Sequence, residues 1–133
     1  MSWSNAYVIA YSHAASVSGF YTAAVSRPNV MYNGVGNPMT MKSIDNRFFN
    51  LHSAAAAAAY RDNLQLTITG YRSNVITITN TFTLQVFTVS YLTFIGYTEL
   101  DTIEFKTSGG TINTKVTGSG TLFGMDNICL SFI

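Results

Sequence analysis

Charge is what this sequence of 133 residues has least of: Asp, Glu, Lys and Arg make up 10% of it, against about 25% in an average soluble domain. The net charge is +1, and the basic residues (Arg27, Lys42, Arg47, Arg61, Arg72, Lys106, Lys115) are scattered along the chain. That excludes the concentrated basic surface by which a nucleic-acid or anionic-membrane binder works. Cysteine is almost absent. The single Cys129 rules out an intramolecular disulfide. Within the apolar run Ile128-Cys129-Leu130 it reads as a small buried hydrophobe, with an intermolecular bridge as the alternative. No charge run, proline-rich stretch or long glycine-serine linker divides the chain, so residues 1–133 read as one domain. No apolar run is long enough to span a bilayer. Met1-Ser2-Trp3-Ser4-Asn5 lacks the basic start and apolar stretch of an export signal, which fits a mature fragment or a signal that was never recorded.

Ser, Thr, Asn and Gly occupy the places that charges leave, a mixture typical of secreted β proteins, fibre subunits and cell-surface modules. Apolar and polar residues alternate with period two over much of the second half. Leu64, Leu66 and Ile68 alternate with Gln65, Thr67 and Thr69; Ile76 and Ile78 with Thr77 and Thr79; Phe82, Leu84 and Val86 with Thr81, Thr83 and Gln85. Ile103 and Phe105 continue the pattern with Thr102, Glu104 and Lys106. Each run has one apolar and one polar face, the mark of a half-buried antiparallel strand. Gly70 to Asn74, Gly96 and Ser108-Gly109-Gly110 read as the turns between them. The fold class is therefore all-β, an antiparallel sandwich or barrel. No charge lies between Ser73 and Thr98. Threonine and serine there are either the wet face of strands or a surface covered by a neighbouring copy.

The first third is less regular. Trp3 to Tyr11 reads as a strand, with Trp3 in the core, followed by small residues through Ser18. Arg27-Pro28-Asn29 and Asn33 to Pro38 read as loops around a short strand at Val30-Met31-Tyr32. The run from Ala54 to Ala59 reads as a helical turn or tightly packed crossover sooner than a strand, because alanine favours helix but six residues cannot hold one alone.

Catalytic patterns are missing. His13 and His52 show no metal spacing, no nucleophile elbow or phosphate loop occurs, and Gly118-Ser119-Gly120 precedes a strand, so it reads as a turn. Asp126 is the one charge in the apolar segment Leu122 to Ile133. Its carboxylate must be hydrogen-bonded or hold a cation, which makes it either an acceptor for backbone N–H groups or the ligand of a structural calcium. Tyr21, Tyr32, Asn33 and Asn37 fall where loops gather and form a candidate sugar site, since rings stack on sugar C–H faces while amides bond the hydroxyls.

Trp3-Ser4-Asn5 with Tyr7-Val8, Ser18-Gly19-Phe20-Tyr21 and Val25-Ser26-Arg27-Pro28-Asn29-Val30 resemble secreted domains found in bacterial proteins with PEP-CTERM sorting signals. Arg47 to Ser53, Leu64 to Tyr71, Leu100 to Phe105 and Phe123-Gly124-Met125-Asp126-Asn127-Ile128 extend the resemblance over nearly the whole chain. It implies a jelly-roll sandwich like that of carbohydrate-binding modules, in which an Asp near the end of the chain sometimes holds calcium. The expected function is a non-catalytic extracellular module that binds carbohydrate. The alternative is a structural subunit that self-assembles into an extracellular filament or sheath, its partners being copies of itself.

Overall fold

The computed structural model describes residues 1–15 and 17–133. Ser16, in the small-residue stretch before Ser18, lies outside the described residues. The alternating runs become strands, and the whole set in chain order is β1 (Ser2–Ser4), β2 (Ala6–Ala10), β3 (Asn29–Asn33), β4 (Met39–Lys42), β5 (Phe49–Ala58), β6 (Arg61–Arg72), β7 (Val75–Leu84), β8 (Ser90–Thr93), β9 (Thr102–Ile112) and β10 (Phe123–Phe132), with a short helix α1 (Gly19–Ala23). They form two antiparallel sheets, ordered β1-β4-β9-β6-β7 and β2-β3-β10-β5-β8. From β3 onward every connection crosses between the sheets except the β6–β7 hairpin. This interleaving is a jelly roll, two Greek keys wound into a sandwich.

Leu64, Leu66 and Ile68 of β6 face Phe49 and Leu51 of β5 across a core in which all five are buried. Trp3 is only half-buried, at the margin of this core, with its ring stacked 6.3 Å from that of Phe105. Tyr97 fills the gap beneath β7 and donates its hydroxyl to the Ile68 carbonyl at 2.7 Å. Burial holds the Tyr97 phenol above its ordinary value, against a lowering contribution from Asn80, and burial likewise raises Tyr60. Because the folded state resists ionising these phenols, their stabilising contribution is full below the unfolded value of ~10 and is lost as pH climbs past it. The melting temperature should therefore fall through the alkaline range. The fall should be shallower in Tyr97→Phe, as calorimetry over that range would show.

The two segments expected as turns on either side of the charge-free stretch behave differently. Ser73 and Asn74 both take positive φ, 51° and 65°, the two-residue type I′ turn that matches strand twist. Ser108-Gly109-Gly110, expected as a turn, instead runs inside β9, whose register against β6 is kept on both sides of the glycines. Gly109 and Gly110 take φ of 71° and 76°, bending the strand without ending it.

The alanine run is also not a turn. Ala54 to Ala58 belong to β5, and the reason is that both faces of this strand are covered. Ala54, Ala56 and Ala58 face the inter-sheet core, while Ala57 and Ala59 pack under α1 with Phe20, Ala23 and Val30. Small side chains are required on both faces at once, and this tertiary demand overrides alanine's helix preference.

Two bulges re-aim residues that the alternation had placed otherwise. In the β6–β7 ladder Gly70 pairs with Ile78 but Tyr71 with Ile76. The extra Thr77 turns Ile76 to the outer face, where it is 60% exposed, while Ile78 stays inward. In β10 the register shifts between Asp126 and Cys129. Ile128 and Leu130 then pack on the core, and Cys129 between them points outward and is exposed. The apolar neighbours that suggested a buried cysteine are the reason it is not buried, since adjacent strand residues face opposite ways.

Candidate functional site

The residues singled out from sequence do not assemble into one site. Tyr32 and Asn33 are neighbours on β3 and so face opposite sides. Asn33 points inward and is 0% exposed. Its Nδ2 donates to the Asn37 carbonyl and to Thr107 Oγ1, and its Oδ1 accepts from the Phe123 N–H at 2.9 Å. Every polar atom of that amide is in use, so Asn33 cannot bond a ligand. Tyr32 lies between Tyr7 and Phe20, at 5.8 and 5.3 Å. Tyr21 stacks on Tyr11 at 4.6 Å with the two hydroxyls bonded, and Arg27 covers the Tyr11 ring at 3.8 Å. These rings are spent seating α1 on its sheet. Asn37 is exposed, and its carbonyl accepts from Asn5 and Asn33 where two strands switch sheets.

Asp126 sits at the β10 bulge, in mid-strand. Its Oδ1 accepts from the Asn127 N–H at 2.8 Å and its Oδ2 from the Ser26 N–H at 2.7 Å. The bulge frees a backbone donor and the carboxylate takes it, tying the segment after α1 to β10. Each carboxylate oxygen thus holds one backbone N–H. Among the described residues no three His, Cys, Asp or Glu side chains group as a metal site. Asp126 borders a cleft of about 250 Å³ between β3 and β10, lined mostly by Val8, Val30, Met31, Met125 and Ile128. That cleft is apolar and its one carboxylate is occupied.

The unoccupied polar groups converge elsewhere, on the outer face of the sheet that carries β7. There the pairing of β4, β9 and β6 sets Thr40 opposite Glu104 and Tyr71 opposite Thr102. The β6–β7 turn adds Asn74. These five residues line a depression of about 210 Å³. The side chains of Thr40, Tyr71, Asn74 and Glu104 have no hydrogen-bond partner among the described residues. The only salt bridge among the described residues is Arg72 to Glu99, so the half-buried Glu104 carboxylate has no ion-pair partner among them either. Thr102 alone is engaged, donating to Asp101. Tyr71 pairs on its other side with the outward-turned Ile76, which makes an apolar rim. A carboxylate able to accept two hydroxyls, an amide that both donates and accepts, two threonine hydroxyls and a phenol ring are groups with the chemistry to bond a polyol. Glu104 had appeared in the sequence only as the polar member of an alternating run. Nothing local separates it from Lys106, two residues on, and Tyr71 falls in the Gly70 to Asn74 segment that reads as a turn.

A second depression, of about 240 Å³, lies on the opposite sheet between the exposed Tyr91, the floor of Ser53 and Ala55, and Asn127. It carries no carboxylate. No helix among the described residues is long and apolar enough to cross a membrane.

No protein-family model and no curated protein matches this chain, so the resemblance to secreted PEP-CTERM-type and carbohydrate-binding domains rests on the sequence segments that suggested it.

Proposed function

We propose that this protein is a non-catalytic extracellular module that binds carbohydrate at the depression formed by Thr40, Tyr71, Asn74, Thr102 and Glu104. The observation that carries the reading is the convergence of polar side chains without internal partners around the half-buried Glu104. A half-desolvated carboxylate is costly unless something bonds it, and vicinal sugar hydroxyls offer two donors at the spacing of its oxygens. The Tyr71 ring supplies a face for sugar C–H groups. A hydrolase is disfavoured because Glu104 has no second carboxylate among the residues lining the depression, and glycoside hydrolysis needs a pair.

The test is titration calorimetry of the purified chain against a panel of soluble neutral polysaccharides, with Glu104→Gln and Tyr71→Ala as variants. A hydrogen bond to a charged group contributes about 1.5–3 kcal/mol, so Glu104→Gln should weaken binding at least about tenfold while the melting temperature holds. Binding that survives both substitutions, or no binding by the wild type to any polysaccharide tried, would overturn the reading.

A further inference from the structure

We propose that β7 pairs with β7 of a second copy of this chain, antiparallel about a two-fold axis near Thr81, joining two sheets into one continuous sheet. The contrast among the four sheet edges motivates this. β1, β2 and β8 have three, five and four residues, and short edge strands present few free backbone groups. β7 has ten residues, seven of them exposed. It pairs only with β6, and no loop or turn backbone bond among the described residues reaches residues 75–84.

The usual guards against strand addition are charge, proline, a bulge or a covering segment. β7 has neither charge nor proline. Its bulge at Thr77 lies near the hairpin end and leaves Ile78 to Leu84 in unbroken register with β6. The segment around Phe94 and Tyr97 packs beneath its inner face, Phe94 against Phe82 and the Tyr97 hydroxyl near Asn80. The edge itself stays open.

The seven regular residues carry threonine at 79, 81 and 83, so their outer face matches itself when reversed about Thr81. On the outer face Thr79 meets Thr83 of the second copy, and Thr81 meets Thr81. On the inner face Asn80 meets Phe82, while Leu84, fully buried in the core, marks the end of the open edge. Threonine pairs with threonine on the exposed face, with no like charges opposed anywhere. The same outer-face pairing already holds β7 to β6, through Thr67 with Thr81 at 3.0 Å and Thr69 with Thr79 at 3.3 Å, and cross-strand threonine pairs of this kind stabilise a sheet. The contact is isologous and uses up β7 on both copies. The remaining edges are short, so association stops at a dimer and does not run on into a filament.

Sedimentation equilibrium over a concentration series tests this with the wild type, Thr81→Lys, Thr81→Glu and an equimolar mixture of the two variants. The wild type should be a concentration-dependent dimer. Each variant places a charge opposite its own copy, and because like charges facing each other across an interface repel, dimerisation should weaken at least about tenfold. The mixture should recover it by setting lysine against glutamate, a rescue that a merely misfolded variant could not give. A wild type that stays monomeric at its highest soluble concentration would overturn the proposal, and so would dimerisation unchanged by either charge.

Discussion

Replacing Gly19 with alanine is expected to lower the melting temperature by about 10 °C while leaving the far-ultraviolet signature of the sheets in place. A Cβ built on Gly19 would stand 1.5 Å from the Ala58 carbonyl oxygen, 2.4 Å from its carbon and 2.8 Å from the Ala59 Cα. All three are backbone atoms of a buried strand region and cannot swing aside. α1 must lift, which breaks the Gly19 N–H bond to the Ala59 carbonyl at 3.0 Å and opens the small cluster of Phe20, Ala23, Val30, Ala57 and Ala59. Overpacking of this kind costs about 3 kcal/mol at the upper end of its usual range, and a domain of this size loses about 3–4 °C per kcal/mol. Scanning calorimetry is the measurement. An unchanged melting temperature would mean that α1 does not press on β5, and the account of the alanine run would fall with it.

Asn33→Ala should be about as damaging, for the opposite reason: it removes atoms where none can be spared. The Phe123 N–H loses its acceptor and Thr107 loses a donor, both inside the core, and stranded buried polar groups cost about 1–3 kcal/mol each. A total of about 3 kcal/mol is expected from chemical denaturation. Hydrogen exchange at the Phe123 amide should rise more than at the flanking residues of β10. Sugar affinity measured on the folded fraction should match the wild type, since Asn33 reaches no ligand. A variant of native stability with lost affinity would restore Asn33 to a binding role.

These two residues show where sequence reasoning stopped. Gly19 is an unremarkable glycine until the chain is folded over Ala58. Asn33 reads as a loop amide beside tyrosines, and only the crossing of β3 over β9 turns it inward to Thr107. The candidate site has the same history. Glu104 belongs to an alternating run and Tyr71 to a segment that reads as a turn, and their proximity comes from β6 pairing with β9 in a register set by core residues on the far face of the sheet. Polar residues on an outward face satisfy the alternation equally well with or without a ligand to bind, so the pattern carries no record of which of them are left without partners.

What the sequence determined by itself was the class of the fold. Period-two alternation is a local property, because a strand that is apolar on one side has to bury that side wherever it lies, and several such strands in one short chain close into a sandwich. The low and scattered charge was equally legible. What only the tertiary structure decided was everything that depends on a second segment arriving from a distance. That includes strand rather than turn for Ala54 to Ala58, a bend rather than a reversal at Gly109-Gly110, an outward Cys129 and an outward Ile76. It also includes the open edge of β7 and the unshared carboxylate of Glu104. Burial, register and hydrogen-bond satisfaction are relations between segments, and the cost of leaving a group unburied or unbonded is set once its neighbours are in place.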